Sequence, residues 1–345
     1  MKIILDAMGG DNAPLEIVKG GLQAVQAYGV QVALVGNTEE VLKALKDLGH
    51  SDLPPGLSLN HASQSVKMTD DPAKSSRDKP DSSMTVGFRM LSENKGDAFV
   101  SAGNTGALLS GAIFGPGRIK GIRRAALAPV VPTKTGGALL IDCGANLECK
   151  PEYLLQFAYM GSIYAGTLFG KEKPVVGLLN IGAEENKGTA LQKEAYFLMS
   201  QAAKEGGIEF AGNVEARDVV FGACDVVVAE GFSGNIFLKT MEGVGLFFAD
   251  MLKGMFYKNT LSKLAAITVK EDLRQFKKIL DYSEVGGSPL LGICRPVIKA
   301  HGSSNAKAVQ NAVRQAKEFV DGRIIDAIGA NIEAMNTRSN NKNEA

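Results

Sequence analysis

Short apolar segments alternate with amphipathic ones along most of the chain. Ile3–Met8 (IILDAM) precedes a helical pattern over residues 15–28, QVALVGN precedes EEVLKALKDLG, and DAFVSAG precedes ALLSGAIF. The same order returns at GALLIDCGAN, VVGLLNIGAEE and DVVVAEGF, each with a helical pattern behind it. Strand followed by helix, repeated, predicts right-handed crossovers and an α/β fold: a largely parallel sheet with helices on both faces. Between Leu53 and Asp81 the rhythm breaks at DLPPG, DDPAK and RDKPDSS, which read as a long excursion or a mobile loop over a cleft. Residues 1–335 are expected to form one α/β unit, undivided or as two lobes around a cleft, with a helical segment at about 239–280 protruding from it. Residues 336–345 are polar and read as a disordered tail.

A second pattern lies in the polar positions. LDAMGGDN, LVGN, VSAGN, DCGAN, LLNIG and EGFSGN all place Asn or Asp beside Gly where an apolar strand ends. In an open parallel sheet, ligands bind outside the carboxyl ends of strands, so such corners can converge on one crevice. Glycine–asparagine pairs also make good turns, which is the plainer reading of any single corner.

The chemistry of these corners favours an anion. Gly103 and Gly106 allow close backbone approach, and Asn104 or Thr105 can cap a helix starting near Gly106. A helix start with free N–H groups attracts phosphate. The stretch is neither a dinucleotide fingerprint nor a nucleotide P-loop; GAEENKGT, Gly182 to Thr189, has Lys-Gly-Thr where a P-loop needs Gly-Lys-Ser/Thr, which rules against nucleotide hydrolysis. Lys187 there is either a surface lysine or a group that binds an anion and polarises a carbonyl. His301, in AHGSSNAKA with Asn305, either binds an anion, moves a proton or caps a turn. No nucleophile elbow or triad motif is present; Cys143 could form an acyl-enzyme, but its place inside ALLIDCGAN reads first as a buried strand residue. Phosphate, already ionised at neutral pH, can itself be the nucleophile in a site that only holds it and stabilises an oxyanion.

Beyond Asn235, apolar residues recur at Val244, Phe247, Phe248, Met251, Leu252, Met255 and Phe256, one face of a helix with Lys253, Lys258 and Lys263 nearby. Core or dimer packing, a membrane surface and the groove for an acyl chain are all open for this face. Charge changes the picture little: 38 basic against 37 acidic residues exclude a global field toward nucleic acid or anionic lipid. The short apolar run in MKIILDAMGG is a strand rather than a signal peptide, and no apolar run reaches membrane-spanning length, so a cytoplasmic protein is expected. Four cysteines, Cys143, Cys149, Cys224 and Cys294, lack metal or disulfide spacing.

The segments ILDAMGGDNAP, DDPAKSSRDKPDSSM, VSAGNTGALL, CKPEYLLQFAYMG, LLNIGAEENKGT, GNVEARD, GFSGNIFLKTMEG and LLGICRPVIKAHGSSNAKA, in order from Ile3 to about Ala312, resemble the bacterial phosphate acyltransferases of phospholipid synthesis, the PlsX family. The resemblance implies a fold similar to phosphate acetyltransferases and the isocitrate dehydrogenase group. It implies reversible transfer of a fatty acyl group from acyl carrier protein to inorganic phosphate, without metal or cofactor, by a homodimer peripherally associated with a membrane or a membrane acyltransferase. Lys187 and Asn235 inherit the catalytic contacts to the carbonyl, and Gly103, Asn104, Thr105, Asn180, Gly234, His301 and Asn305 the substrate contacts. Lys74, Arg77, Lys79, Arg118, Lys120, Arg123 and Arg124 are candidates for docking the acidic carrier. Glu230 and Ala216 depart from the pattern, which has Asp and Gly there. Rival readings are a short-chain phosphate acetyltransferase using coenzyme A, a metal-dependent hydroxyacid dehydrogenase and a noncatalytic membrane scaffold.

Overall fold

A computed structural model describes residues 1–274 and 286–336. The strands are β1 (Lys2–Asp6), β2 (Gln31–Gly36), β3 (Leu57–His61), β4 (Ala98–Ser101), β5 (Ala126–Leu127), β6 (Val130–Thr133), β7 (Gly136–Ile141), β8 (Val175–Asn180), β9 (Glu209–Glu215), β10 (Val226–Val228), β11 (Gly287–Leu291) and β12 (Val297–Ala300). They form two sheets rather than one. The first has seven strands in the order β3-β2-β1-β4-β12-β11-β5, and the second five in the order β6-β7-β10-β8-β9. Most neighbours are parallel; β11 runs antiparallel to both β12 and β5, and β6 runs antiparallel to β7. The α/β expectation therefore holds, with the second sheet inserted in the chain between β5 and β11.

Strand alternation assigns each side chain to a layer. Ile3 and Leu5 of β1 pack with Leu34, Val100 and Ile298 under the Leu15–Tyr28, Thr38–Asp47 and Ala306–Asp321 helices. Leu139 and Ile141 of β7 and Val226 and Val228 of β10 pack with the Pro151–Phe169 and Ala190–Lys204 helices. The intervening positions, Ile4 and Phe99 of the first sheet and Leu140 and Val227 of the second, belong to one shared cluster with Phe88, Leu108 and Phe237. Strands buried on both faces read as continuous apolar runs, which is why the sequence shows blocks rather than alternation there.

Leu53–Asp81 is not all excursion. Leu57–His61 pairs in parallel with β2 along its whole length and forms the sheet edge. The signal was masked by Pro54, Pro55 and Gly56 just before it. Beyond it the chain loops across residues 62–82 with the short Ser75–Asp78 helix, held by Lys79, which donates to Ser65 O (2.9 Å) and Asp70 Oδ2 (2.5 Å).

The Gly231–Tyr257 helix starts at the end of β10 and runs on past the body of the protein: Gly231, Gly234 and Phe237 are its only buried residues. Leu246, Phe247 and Met255 are 69%, 63% and 59% exposed, and Phe248 and Met251 are also exposed, whereas Leu252 and Phe256 are half-buried. The Thr260–Thr268 helix follows, again largely exposed. The distal part of the 239–280 segment and residues 337–345 of the tail lie outside the described residues.

Candidate active site between the strand ends

One cavity of about 730 Å³ opens where strand ends of the two sheets meet. Thr105 after β4, Lys299, Ala300, His301 and Ser303 at the end of β12, and Cys143 and Gly144 after β7 contribute to it, together with Phe232, Asn235, Lys239 and Glu242 of the long helix. Val130 and Val131 of β6 and Leu238, Met241 and Leu246 supply apolar wall.

The corner after β4 is built by hydrogen bonds that engage most of its groups. Ser101 Oγ donates to the buried Asp6 Oδ2 (2.6 Å) and accepts from Gly103 N (3.0 Å). Burial raises the Asp6 carboxyl above its ordinary value, and the Ser101 and Ser83 hydroxyls and the Met8 and Gly9 amides pull it back. Asn104 Oδ1 accepts from Ala107 N (3.0 Å), capping the Thr105–Phe114 helix, while Asn104 Nδ2 donates to Met68 O (3.1 Å). Both ends of that amide are occupied, so Asn104 positions the helix start and the 62–82 loop; Thr105, exposed and lining the cavity, is the residue it presents.

The corner after β7 is organised by Asp142. Its Oδ1 accepts from Leu127 N (2.8 Å), Cys143 N (2.8 Å) and Ala145 N (3.3 Å), and its Oδ2 from Asn146 N (2.7 Å) and Asn146 Nδ2 (3.1 Å). Onto this loop the long helix docks by glycine: Gly231 N donates to Asn146 O (2.7 Å), and a Cβ at Gly234 would lie 1.9 Å from Asp142 O. Glu230 caps the helix, accepting from Phe232 N (2.6 Å) and Ser233 N (3.0 Å) and from the Ser233 hydroxyl. Its extra methylene relative to Asp is thus taken up in a cap at the β10 end. Asn235 stands one turn into the helix, beside Gly144, with its side chain exposed to the cavity. Ala216 is exposed at the start of the short Ala216–Val219 helix.

Lys187 does not line this cavity. It lies in the turn after β8, a neighbour of β10 in the second sheet, with its Nζ 3.8 Å from Glu184 Oε1 and its side chain 45% exposed. Asn180 is engaged in the same turn, donating to Lys187 O (3.2 Å) and accepting from Ile181 N (2.8 Å). Asn305 caps the Ala306–Asp321 helix through Ala308 N (2.9 Å) and does not reach the cavity, whereas His301 does, with Nδ1 2.8 Å from Ser303 Oγ. Partial burial and the nearby Lys239 cation lower the His301 pKa, which favours the neutral ring at pH 7. Thr105, Asn235, and His301 thus share one cavity; Gly103, Asn104 and Gly234 shape its walls from behind; Lys187 and Asn180 sit at the adjoining strand end.

Sequence reasoning missed Lys299, Lys239 and Glu242. Lys299, 8% exposed, is a charged residue in the middle of VIKA, a strand otherwise wholly apolar, and that interruption is the signal that could have found it. Lys239 and Glu242 pair at 2.7 Å on the cavity side of the helix. Cys143 lines the cavity too, but burial and the adjacent Asp142 push its thiol well above the ordinary range, and burial holds the Cys149 and Cys224 thiols at about 12. None presents a thiolate at neutral pH.

Comparison with known proteins decides the family. A family model described as "Fatty acid synthesis protein" matches residues 1–326. A phosphate acyltransferase of Thermoanaerobacterium thermosaccharolyticum is 46% identical over 335 residues, covering 97% of this chain and 98% of its own, and one of Clostridioides difficile is 43% identical with both chains covered completely. The chain belongs to the PlsX family of phosphate acyltransferases. The PlsX fold in turn resembles a phosphotransacetylase from Streptococcus pyogenes (TM-score 0.60, 15% identity, 94% of each chain) and the EutD phosphotransacetylase from Staphylococcus aureus (TM-score 0.58, 16% identity, 95% and 94%). At that identity the likeness concerns the fold, which agrees with the expected phosphate acetyltransferase-like architecture.

Proposed function

We propose that this PlsX-family acyltransferase moves a long-chain fatty acyl group from acyl carrier protein to inorganic phosphate, reversibly, by direct attack of phosphate on the thioester. The observation that carries the reading is a single cavity that joins polar groups from the β4 and β12 ends to an aliphatic wall from β6 and the long helix. Phosphate sits at the polar end near Thr105 and His301, where a helix start favours an anion. The acyl chain lies along Val130, Val131, Met241 and Leu246. A phosphate oxygen forms the new bond to the acyl carbon, the carbon–sulfur bond breaks, and sulfur leaves as the carrier thiolate. The Asn235 amide donates to the oxyanion between those events. Lys187 is the second oxyanion donor: β8 adjoins β10, and its long contact to Glu184 leaves the ammonium able to turn toward that strand end. The raised thiol pKa values support a mechanism without an acyl-enzyme.

The test is acyl phosphate formation from a long-chain acyl carrier protein and phosphate, with acyl coenzyme A as the competing donor. Turnover with the carrier and within about threefold in Cys143→Ser is expected; loss of activity in that variant with phosphate binding intact would establish covalent catalysis instead. Exclusive use of coenzyme A would favour the short-chain reading.

The carrier docks at Arg118, Lys120, Arg123 and Arg124, which are exposed close together. Lys74, Arg77 and Lys79 are weaker candidates because each pairs with an aspartate at 2.5–3.3 Å. Apolar residues exposed around the β8 and β10 ends, Ile181 at 82% and Phe232 at 61%, suit a second copy of the chain. No helix among the described residues is long and apolar enough to cross a membrane. The exposed Phe247–Phe256 face instead lies against a membrane surface from the cytoplasmic side. Burying one Phe is worth about 1.5–3 kcal/mol, so Phe247→Glu with Phe248→Glu should reduce sedimentation with anionic phospholipid vesicles by at least about 10²-fold. Gel filtration run in parallel checks that the subunit state is unchanged; retained sedimentation would return this face to protein packing.

A further inference from the structure

Lys299 is the least explained charge among the described residues. It lies on β12 with its Cα in register with Ser101 of β4, so its side chain reaches the corner from which the Thr105–Phe114 helix begins. It is more than nine-tenths buried and lines the cavity. Its ammonium donates to Ala102 O (3.3 Å) and to Ala300 O. An ammonium has three donors, and the third remains for whatever occupies the cavity. Among the described residues it forms no ion pair; the buried Asp6, whose own carboxyl is already satisfied by hydroxyls and amides, attracts it from beyond ion-pair distance. A cation withdrawn from water without a counter-ion is costly, and its retention at the floor of a ligand cavity points to a ligand that carries the missing charge.

We infer that the Lys299 ammonium is the counter-charge that fixes a tetrahedral dianion, phosphate in the reaction, at the corner formed by Ala102 and Thr105. The inference rests on the acyl-to-phosphate reading above and gives its anion a specific partner. Neutral carbonyls anchor the ammonium without cancelling it, so its charge remains available, while the start of the Thr105–Phe114 helix adds N–H donors on the same side. Binding of a dianion is then tied to the protonation of Lys299. Burial lowers that pKa from 10.5 to about 8, against the pull of Asp6 and Asp11. The other titratable groups facing this end are Lys239 and Glu242 on the long helix and His301 on the same strand end. His301, with its pKa below the usual histidine value, is already neutral across the alkaline range.

Sulfate is the discriminating probe, because it stays a dianion from pH 7 to 9.5 while phosphate changes its own charge. Calorimetric titration of sulfate into the whole protein should show affinity falling about tenfold between pH 7 and pH 9, the loss expected when a cation with pKa about 8 deprotonates. Lys299→Met should abolish that dependence and raise the KM for phosphate at least tenfold at pH 7 with the KM for acyl carrier protein little changed; Lys239→Met should keep the dependence but move it to higher pH, because the Lys239 cation is one of the groups that lower the Lys299 pKa. A pH-independent sulfate affinity in the wild type, or an unchanged phosphate KM in Lys299→Met, overturns the inference. The wild-type profile needs no variant to fold, and binding needs no turnover. If sulfate binds as described but no acyl phosphate forms, the anion site stands and the acyl-transfer reading falls.

Discussion

Asn235→Ala is expected to lower kcat about 10²–10³-fold, the loss typical of removing one oxyanion donor from a preorganised site. The position makes this a clean measurement. Asn235 is exposed and lies one turn inside a helix, where alanine is intrinsically the better residue. Stability should therefore change by less than about 0.5 kcal/mol, and any large kinetic loss belongs to chemistry. The KM for phosphate should stay within about threefold, since the anion is held at the β4 and β12 ends rather than at the helix. Steady-state kinetics with long-chain acyl carrier protein, beside a thermal melt, check both statements. A fall of less than fivefold would move the oxyanion to other donors, Lys187 first among them.

The second large effect is structural. In Gly234→Ala the added methyl meets Asp142 O at 1.9 Å, and the obstacle is backbone, in a loop whose geometry Asp142 fixes through five accepted hydrogen bonds. Neither partner can rotate away, so the helix start must lift from the β7 end, carrying Asn235 with it. A loss of about 3 kcal/mol in stability is expected, together with a fall in activity at temperatures where the protein remains folded. Gly254→Ala is the control in the same helix: its Cβ would meet nothing within 4 Å, and removing a helical glycine should add about 0.5–1 kcal/mol. Urea denaturation of the three proteins separates the two outcomes; equal stability of Gly234→Ala and the wild type would mean that the helix docks more loosely than the geometry requires.

The repeated strand–helix order and the polar strand ends carried much of this architecture into the amino-acid sequence, because a buried parallel strand must be an apolar block and its carboxyl end must turn. Division into two sheets was not legible. Ile141 and Val228 look like Leu5 and Val100 along the chain, and only tertiary pairing assigns them to different sheets. Short strands such as Ala126–Leu127 and Val130–Thr133 carry too few residues to show a period. At the site, Asn-Gly composition located the corners but not what each amide does. Asn104 and Asn305 use their side-chain oxygens as helix caps, while Asn235, past the Glu230 cap, keeps its amide for the cavity. Lys299 escaped notice because a strand pattern weighs its apolar neighbours and treats one charge as noise.

The cluster that joins Phe319, Ile324 and Ile328 to the Pro151–Phe169 helix has a consequence for dissecting the molecule. Residues 130–228 leave the first sheet after β5, and the chain returns to it at β11, so excising that insert and rejoining the ends would remove the Pro151–Phe169 helix, whose Tyr164 ring lies 5.5 Å from that of Phe319, and expose Phe319, Ile324 and Ile328 to water. The insert expressed by itself would expose the facing side of that helix, Tyr164 included, in the same way. Neither fragment can be made soluble by choosing better boundaries, since the apolar surface each presents is the other's interior; they can only be recovered by producing both together.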